Sequence, residues 1–184
     1  MSDRPWLSAY PEGVPADIDV QAYSSLVQLL EQAFQRFGPR VAFSFMGQEL
    51  SYAQLDAQSR ALAAYLQSLG LVRGDRVAIM LPNVLQYPIA VAAVLRAGYV
   101  VVNVNPLYTA RELRHQLQDS GATAIIILEN FAHTLEEVID QTAVKTVLVA
   151  SMGDLLGGWY GHWITFAVRH LAKMVPAFEL PLMM

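Results

Sequence analysis

The stretch VVVNVNPLYTAREL, residues 100–113, runs an apolar segment into two asparagines and a proline and then opens a helix. Asparagine amides at the end of an apolar strand can do two things. They can donate and accept to a ligand seated beyond the strand, or they can only turn the chain, since Asn is common in turns and Pro106 keeps the preceding residue extended. The same choice arises at Pro82-Asn83 and at Glu129-Asn130, which also follow apolar runs. Asn83, Asn105, Pro106 and Thr109 are therefore the candidates for the edge of a substrate crevice, and spacing leaves both readings open.

Other side chains with chemistry lead less far. His115, His133, His162 and His170 include no i, i+4 pair of the kind that holds a metal on one helical face, so no metal site is expected. The only lysines are Lys145, at a strand entrance, and Lys173, and neither is placed to grip a phosphate. No Walker loop, dinucleotide fingerprint or G-x-S-x-G is present. Gly157, Gly158 and Gly161 precede Trp163 rather than a lysine and read as a flexible break. Glu136-Glu137 reads as a solvated helical face. No catalytic residue is expected in this segment.

Composition sets the class. The 184 residues are 54% hydrophobic with a net charge of -4, which suits one globular core and argues against nucleic-acid binding, because that needs clustered basic residues. With no cysteine there is no disulfide, thiolate nucleophile or Cys-ligated zinc. The start, MSDRPWLSAYPEG, lacks the apolar core of a signal peptide, so the cytoplasm is the expected location.

The elements that would position the asparagines follow from pattern. Residues 1–23 carry four acids and three prolines and suggest an arm laid over a surface by Trp6, Leu7 and Tyr10. A helix over 24–37 is expected to bury Leu26, Leu29, Leu30, Ala33 and Phe37, and a hairpin over 41–50 to turn Val41, Phe43 and Phe45 inward. Ser51 with Gln54, and Thr109 with Glu112, have capping-box spacing. The first opens a helix with Leu55, Leu62, Leu66 and Leu69 inward and a cap at Gly70. Apolar strands are expected at 76–81, 99–104, 123–128 and 145–149, separated by helices, with one helix running over 131–141. Buried apolar strands alternating with helices predict an open α/β fold, a mostly parallel sheet with helices on both faces, spanning 24–150. In such sheets ligands sit beyond the carboxyl ends of the strands.

Taken together, RGDRVAIMLPN, YPIAVAAVLRAGYVVVNVNPLYTARELRHQL and DSGATAIII resemble the N-terminal part of acyl-CoA synthetases of the adenylate-forming superfamily, with LSYAQLDAQSRALAAYLQSLG preceding them in the same order. The arm WLSAYPEGVP and FAHTLEEV make the likeness greatest to bacterial long-chain fatty acid–CoA ligases. That resemblance implies a parent enzyme that uses ATP and Mg2+ to form an acyl-adenylate from a fatty acid and passes the acyl group to CoA. It also implies that the phosphate loop, the nucleotide-binding motifs and the catalytic lysine lie downstream of Met184. The chain is therefore expected to be an N-terminal fragment that binds none of these cofactors well and is inactive alone. Self-association, including a homodimer through the N-terminal region, is expected of it.

Residues 151–184 are expected to hold a flexible break and an amphipathic helix over 159–175. Trp159, Trp163, Phe166, Arg169 and Lys173 are its membrane-facing candidates, for an enzyme peripheral on the cytoplasmic face of the inner membrane. The alternative, packing on another part of the enzyme, stays open, as does a non-catalytic module built on the same scaffold.

Overall fold

The computed structural model describes residues 4–180, so the first three residues of the arm and the last four of the tail lie outside the described residues. Helix α1 spans Leu26–Phe37. A hairpin follows, β1 Val41–Phe45 and β2 Gln48–Ser51, closed by Met46-Gly47. Both turn residues have left-handed backbone, φ 49° and 79°, the pairing that matches strand twist in a two-residue loop. Helix α2, Tyr52–Ser68, is opened by Ser51 and Gln54 in a reciprocal capping box and ends before Gly70 at φ 80°.

Four parallel strands then alternate with helices: β3 Arg76–Met80, α3 Gln86–Arg96, β4 Val100–Asn103, α4 Ala110–Ser120, β5 Ala124–Leu128, α5 Ala132–Glu136 and β6 Thr146–Ala150. The strand order is β4-β3-β5-β6. Pro88 falls in the first turn of α3, where an amide hydrogen has no helical partner to lose. Alternate residues of the central strands feed two cores. Val77, Ile79, Ala124 and Ile126 pack with α2 and α3; Ala78, Met80, Ile125 and Ile127 pack with α4 and α5. The expected open α/β sheet with both faces covered is the fold observed.

This topology sets a switch point. The chain leaves β3 for α3 on one face and leaves β5 for α5 on the other, so the adjacent carboxyl ends of β3 and β5 diverge. That divergence is the switch point at which open α/β sheets admit ligands.

Several expected details are corrected. β4 is an edge strand, half exposed, because only β3 pairs with it. On α1 the buried residue is Phe34, with Leu30 beside it, whereas Leu26 and Leu29 face solvent. A bulge between Val41 and Phe43 turns both outward and leaves Ala42, Phe45 and Leu50 to pack inward. On α2, Ser59 and Ala63 are buried while Leu62 and Leu69 are half-buried. The helix expected over 131–141 is broken into a 3-10 turn Glu129–Phe131, the short α5 and a second 3-10 turn Ile139–Gln141. In the arm, a 3-10 turn spans Pro5–Ala9, and Trp6 and Tyr10 are exposed rather than laid down.

The tail also differs. Helix α6, Gly158–Phe166, passes into a π-helical turn, Ala167–Leu171, and Lys173 lies beyond it with left-handed backbone, φ 51°. Gly161 belongs to no flexible break: it is buried inside α6, and a β-carbon there would collide with the carbonyl of Gly153.

Candidate functional site

Asn83 lies in the loop after β3, and Asn105, Pro106 and Thr109 lie after β4, so the fold brings all four to one end of two neighbouring strands. Their side chains differ in how they are engaged. The Asn105 Oδ1 accepts from the Leu107 amide at 3.0 Å, a local turn that occupies the oxygen. Thr109 caps α4: its amide and its hydroxyl both donate to Glu112 Oε2, at 2.9 and 2.7 Å. Those two bonds from Thr109 hold the Glu112 carboxyl below the usual carboxylate range. Asn83 is exposed and lines a cavity of about 280 Å³ with Phe43, Phe45, Leu85, Tyr87 and Pro88.

Asn103 does more at this end than spacing indicates. Its Oδ1 accepts from the Tyr87 hydroxyl at 3.1 Å, and its carbonyl accepts from Gln116 Nε2 at 2.8 Å, so it joins α3 and α4 across the strand end. The only sequence signal for it is an amide inside an otherwise apolar run.

On the far side of the switch point, Glu129 is almost fully buried, at 1% exposure, where β5 ends. The Arg169 guanidinium meets it, Nε donating to Oε2 at 2.7 Å. The expected membrane-facing Arg169 is thus engaged with Glu129 while its side chain stays about half exposed. Trp159, Trp163 and Phe166 do face outward, at 77%, 50% and 53% exposure. A second cavity, about 260 Å³, lies between α2, α3 and β6, with Leu62, Ile89, Ile126 and Leu148 supplying an apolar lining and Gln58 and Gln86 the amides.

Among the described residues, the glycine-rich cavity near the tail does not have the lining of a triphosphate site. Gly153, Gly157, Gly158 and Gly161 line a cavity of about 240 Å³, but Asp154 shares it, and a carboxylate there repels phosphate. Among the described residues no group of three His, Asp or Glu is placed to hold a metal ion.

The fold is a doubly wound α/β scaffold with polar residues at the carboxyl ends of its strands. The profile of the AMP-binding enzyme family matches residues 30–162, and the chain belongs to that family. It is 52% identical over 177 residues to a long-chain-fatty-acid–CoA ligase of Escherichia coli O157:H7, covering 96% of this chain and 32% of that protein. It is 53% identical over 180 residues to a long-chain-fatty-acid–CoA ligase of Yersinia pestis, covering 97% and 32%. The crystal structure of a long-chain-fatty-acid–CoA ligase from Archaeoglobus fulgidus shares the fold, with TM-score 0.62 and 24% identity over 72% of this chain and 29% of that one. The chain spans about a third of the length of the curated relatives it matches.

Proposed function

We propose that this chain is the N-terminal part of an ATP-dependent long-chain fatty acid–CoA ligase, which joins a fatty acid to CoA through an acyl-adenylate with release of pyrophosphate and AMP and so prepares the acid for β-oxidation. The observation that carries the reading is identity above half, spread over nearly the whole chain, to ligases of that name. The part described supplies scaffold rather than chemistry. Asn105, Pro106 and Thr109 fix the loop shape at the crevice edge, and Asn83 keeps an amide free to face substrate. ATP, Mg2+ and CoA belong to the whole ligase.

Pyrophosphate exchange tests this. With palmitate, Mg2+ and ATP, the 184-residue chain alone is expected to give no exchange above the enzyme-free blank, and exchange at the rate of an intact ligase would contradict it.

The fatty acid is proposed to arrive from the inner-membrane surface, on the cytoplasmic side. No helix among the described residues is long and apolar enough to cross a membrane. The exposed Trp159, Trp163 and Phe166 instead suit the headgroup level, where aromatic rings are favoured. Flotation with anionic vesicles should carry the chain upward and should fail for the variant with all three aromatics changed to serine. Homodimer formation through the N-terminal region is proposed on the exposed Trp6, Tyr10, Ile18 and Val20. Light scattering should give a dimer mass that falls to monomer when residues 1–23 are removed.

A further inference from the structure

One chain of polar contacts ties together the carboxyl ends of three strands. Gln86, at the start of α3, donates to the Ser151 carbonyl at 2.9 Å. The Ser151 hydroxyl accepts from Arg169 Nη2 at 3.1 Å, and Arg169 Nε donates to Glu129 at the end of β5. Further along the tail, Asn130 Nδ2 donates to the Met174 carbonyl and Glu136 Oε1 accepts from the Glu179 amide, both at 3.1 Å.

Beyond these contacts and the close backbone packing of Gly161 on Gly153, little holds the tail. Of α6 and the π-helical turn only Gly161 is fully buried, and the large aromatics point to solvent. Apolar burial, the usual anchor of a terminal helix, is therefore weak here. The anchor is a charge pair with one buried partner: the second oxygen of Glu129 is buried without a hydrogen-bond partner, so Arg169 supplies the compensation that a buried carboxylate requires. The π-helical turn carries Arg169, and such turns recur where a helix must present one residue out of ordinary register.

We propose that residues 158–174 form a strap closed across the carboxyl ends of β5 and β6, latched by the Arg169 guanidinium on the buried Glu129 carboxylate, and that unlatching frees the strap from those two strand ends. The strap is a local opening unit, distinct from the sheet beneath it.

Hydrogen exchange followed by mass spectrometry on the whole 184-residue chain tests this with two variants, Glu129→Gln, which keeps the shape and removes the charge, and Arg169→Met, at a half-exposed side chain. In both, amides of 158–174 should exchange at least about tenfold faster, while peptides covering 76–80 and 124–128 keep their protection. Unchanged exchange in either variant overturns the latch, because it needs both partners. An equal rise across β3 and β5 also overturns it, since Glu129 and Arg169 would then support the core rather than a strap.

Discussion

Arg96 lies over Phe34 with its guanidinium carbon 4.8 Å from the ring centre. Around that stacked pair, Arg96 Nη1 donates to the Ser59 hydroxyl at 2.7 Å and the Asp56 carbonyl at 2.9 Å, and Nη2 pairs with the Asp56 carboxylate. One buried cation thus joins α1, α2 and α3, the layer that covers one face of the sheet. The side chain is 6% exposed, and the Asp56 carboxylate, with Glu31 at 3.8 Å, supplies the opposite charge that a buried cation needs.

Arg96→Met is therefore expected to destabilise the chain by about 2–4 kcal/mol in urea unfolding, below the full cost of breaking a buried pair because Asp56 still reaches water. Arg96→Lys should recover only part of this, since a single ammonium nitrogen cannot lie over Phe34 and also occupy the two separate Nη positions that meet Ser59 and Asp56. A loss under about 0.5 kcal/mol would show that Arg96 does not clamp the three helices.

Acid should weaken the same joint. Burial raises the Asp56 carboxyl, but the hydrogen bond and charge of Arg96, with Arg60 behind them, overcome this and hold it below its ordinary value of 3.8. A carboxyl depressed in the folded state adds stability above its unfolded pKa, and that stability is lost as pH falls through the folded one. Stability should thus decline from just above pH 4 downward, and Arg96→Met should flatten that slope. An unchanged slope in the variant would contradict the assignment.

Thr109→Ala should cost about 1 kcal/mol of stability, the usual loss for an N-cap hydroxyl. Because the Thr109 hydroxyl is committed to α4, the expected effect is on folding; a variant of full thermal stability would show that the cap contributes nothing.

Gly161→Ala should disturb the tail alone. A methyl there meets the Gly153 backbone, so α6 must shift while the sheet core stays intact. The fluorescence and near-ultraviolet circular dichroism of Trp159 and Trp163, read in a Trp6→Phe background, should change, with far-ultraviolet signal nearly constant; an unaltered aromatic signal would mean that the two glycines do not need to touch.

Local chemistry was readable from sequence, and long-range partnership was not. Both capping boxes, at Ser51 and Thr109, depend on residues three apart, and both formed as the spacing predicts. The apolar runs of β3 and β5 announced buried strands because both of their faces are covered. β4 carries the same valine-rich signal, yet it lies at an edge, a fact set by strand order rather than by its own residues. Leu26 and Leu29 have helical spacing, but the packed face of α1 is fixed by where Arg96 and Phe34 meet. Arg169 looked like a basic flank of an amphipathic helix because Glu129, its partner, is forty residues away.

We propose that this chain supplies the scaffold of a ligase whose chemistry resides elsewhere in the enzyme. The most direct measurement is ATP- and CoA-dependent formation of palmitoyl-CoA by this polypeptide, alone and mixed with a separately produced, folded segment covering the remaining two thirds of the Escherichia coli relative. Product only in the mixture is the predicted result. Product from this chain alone, or none from a mixture in which the two parts demonstrably bind, would contradict it.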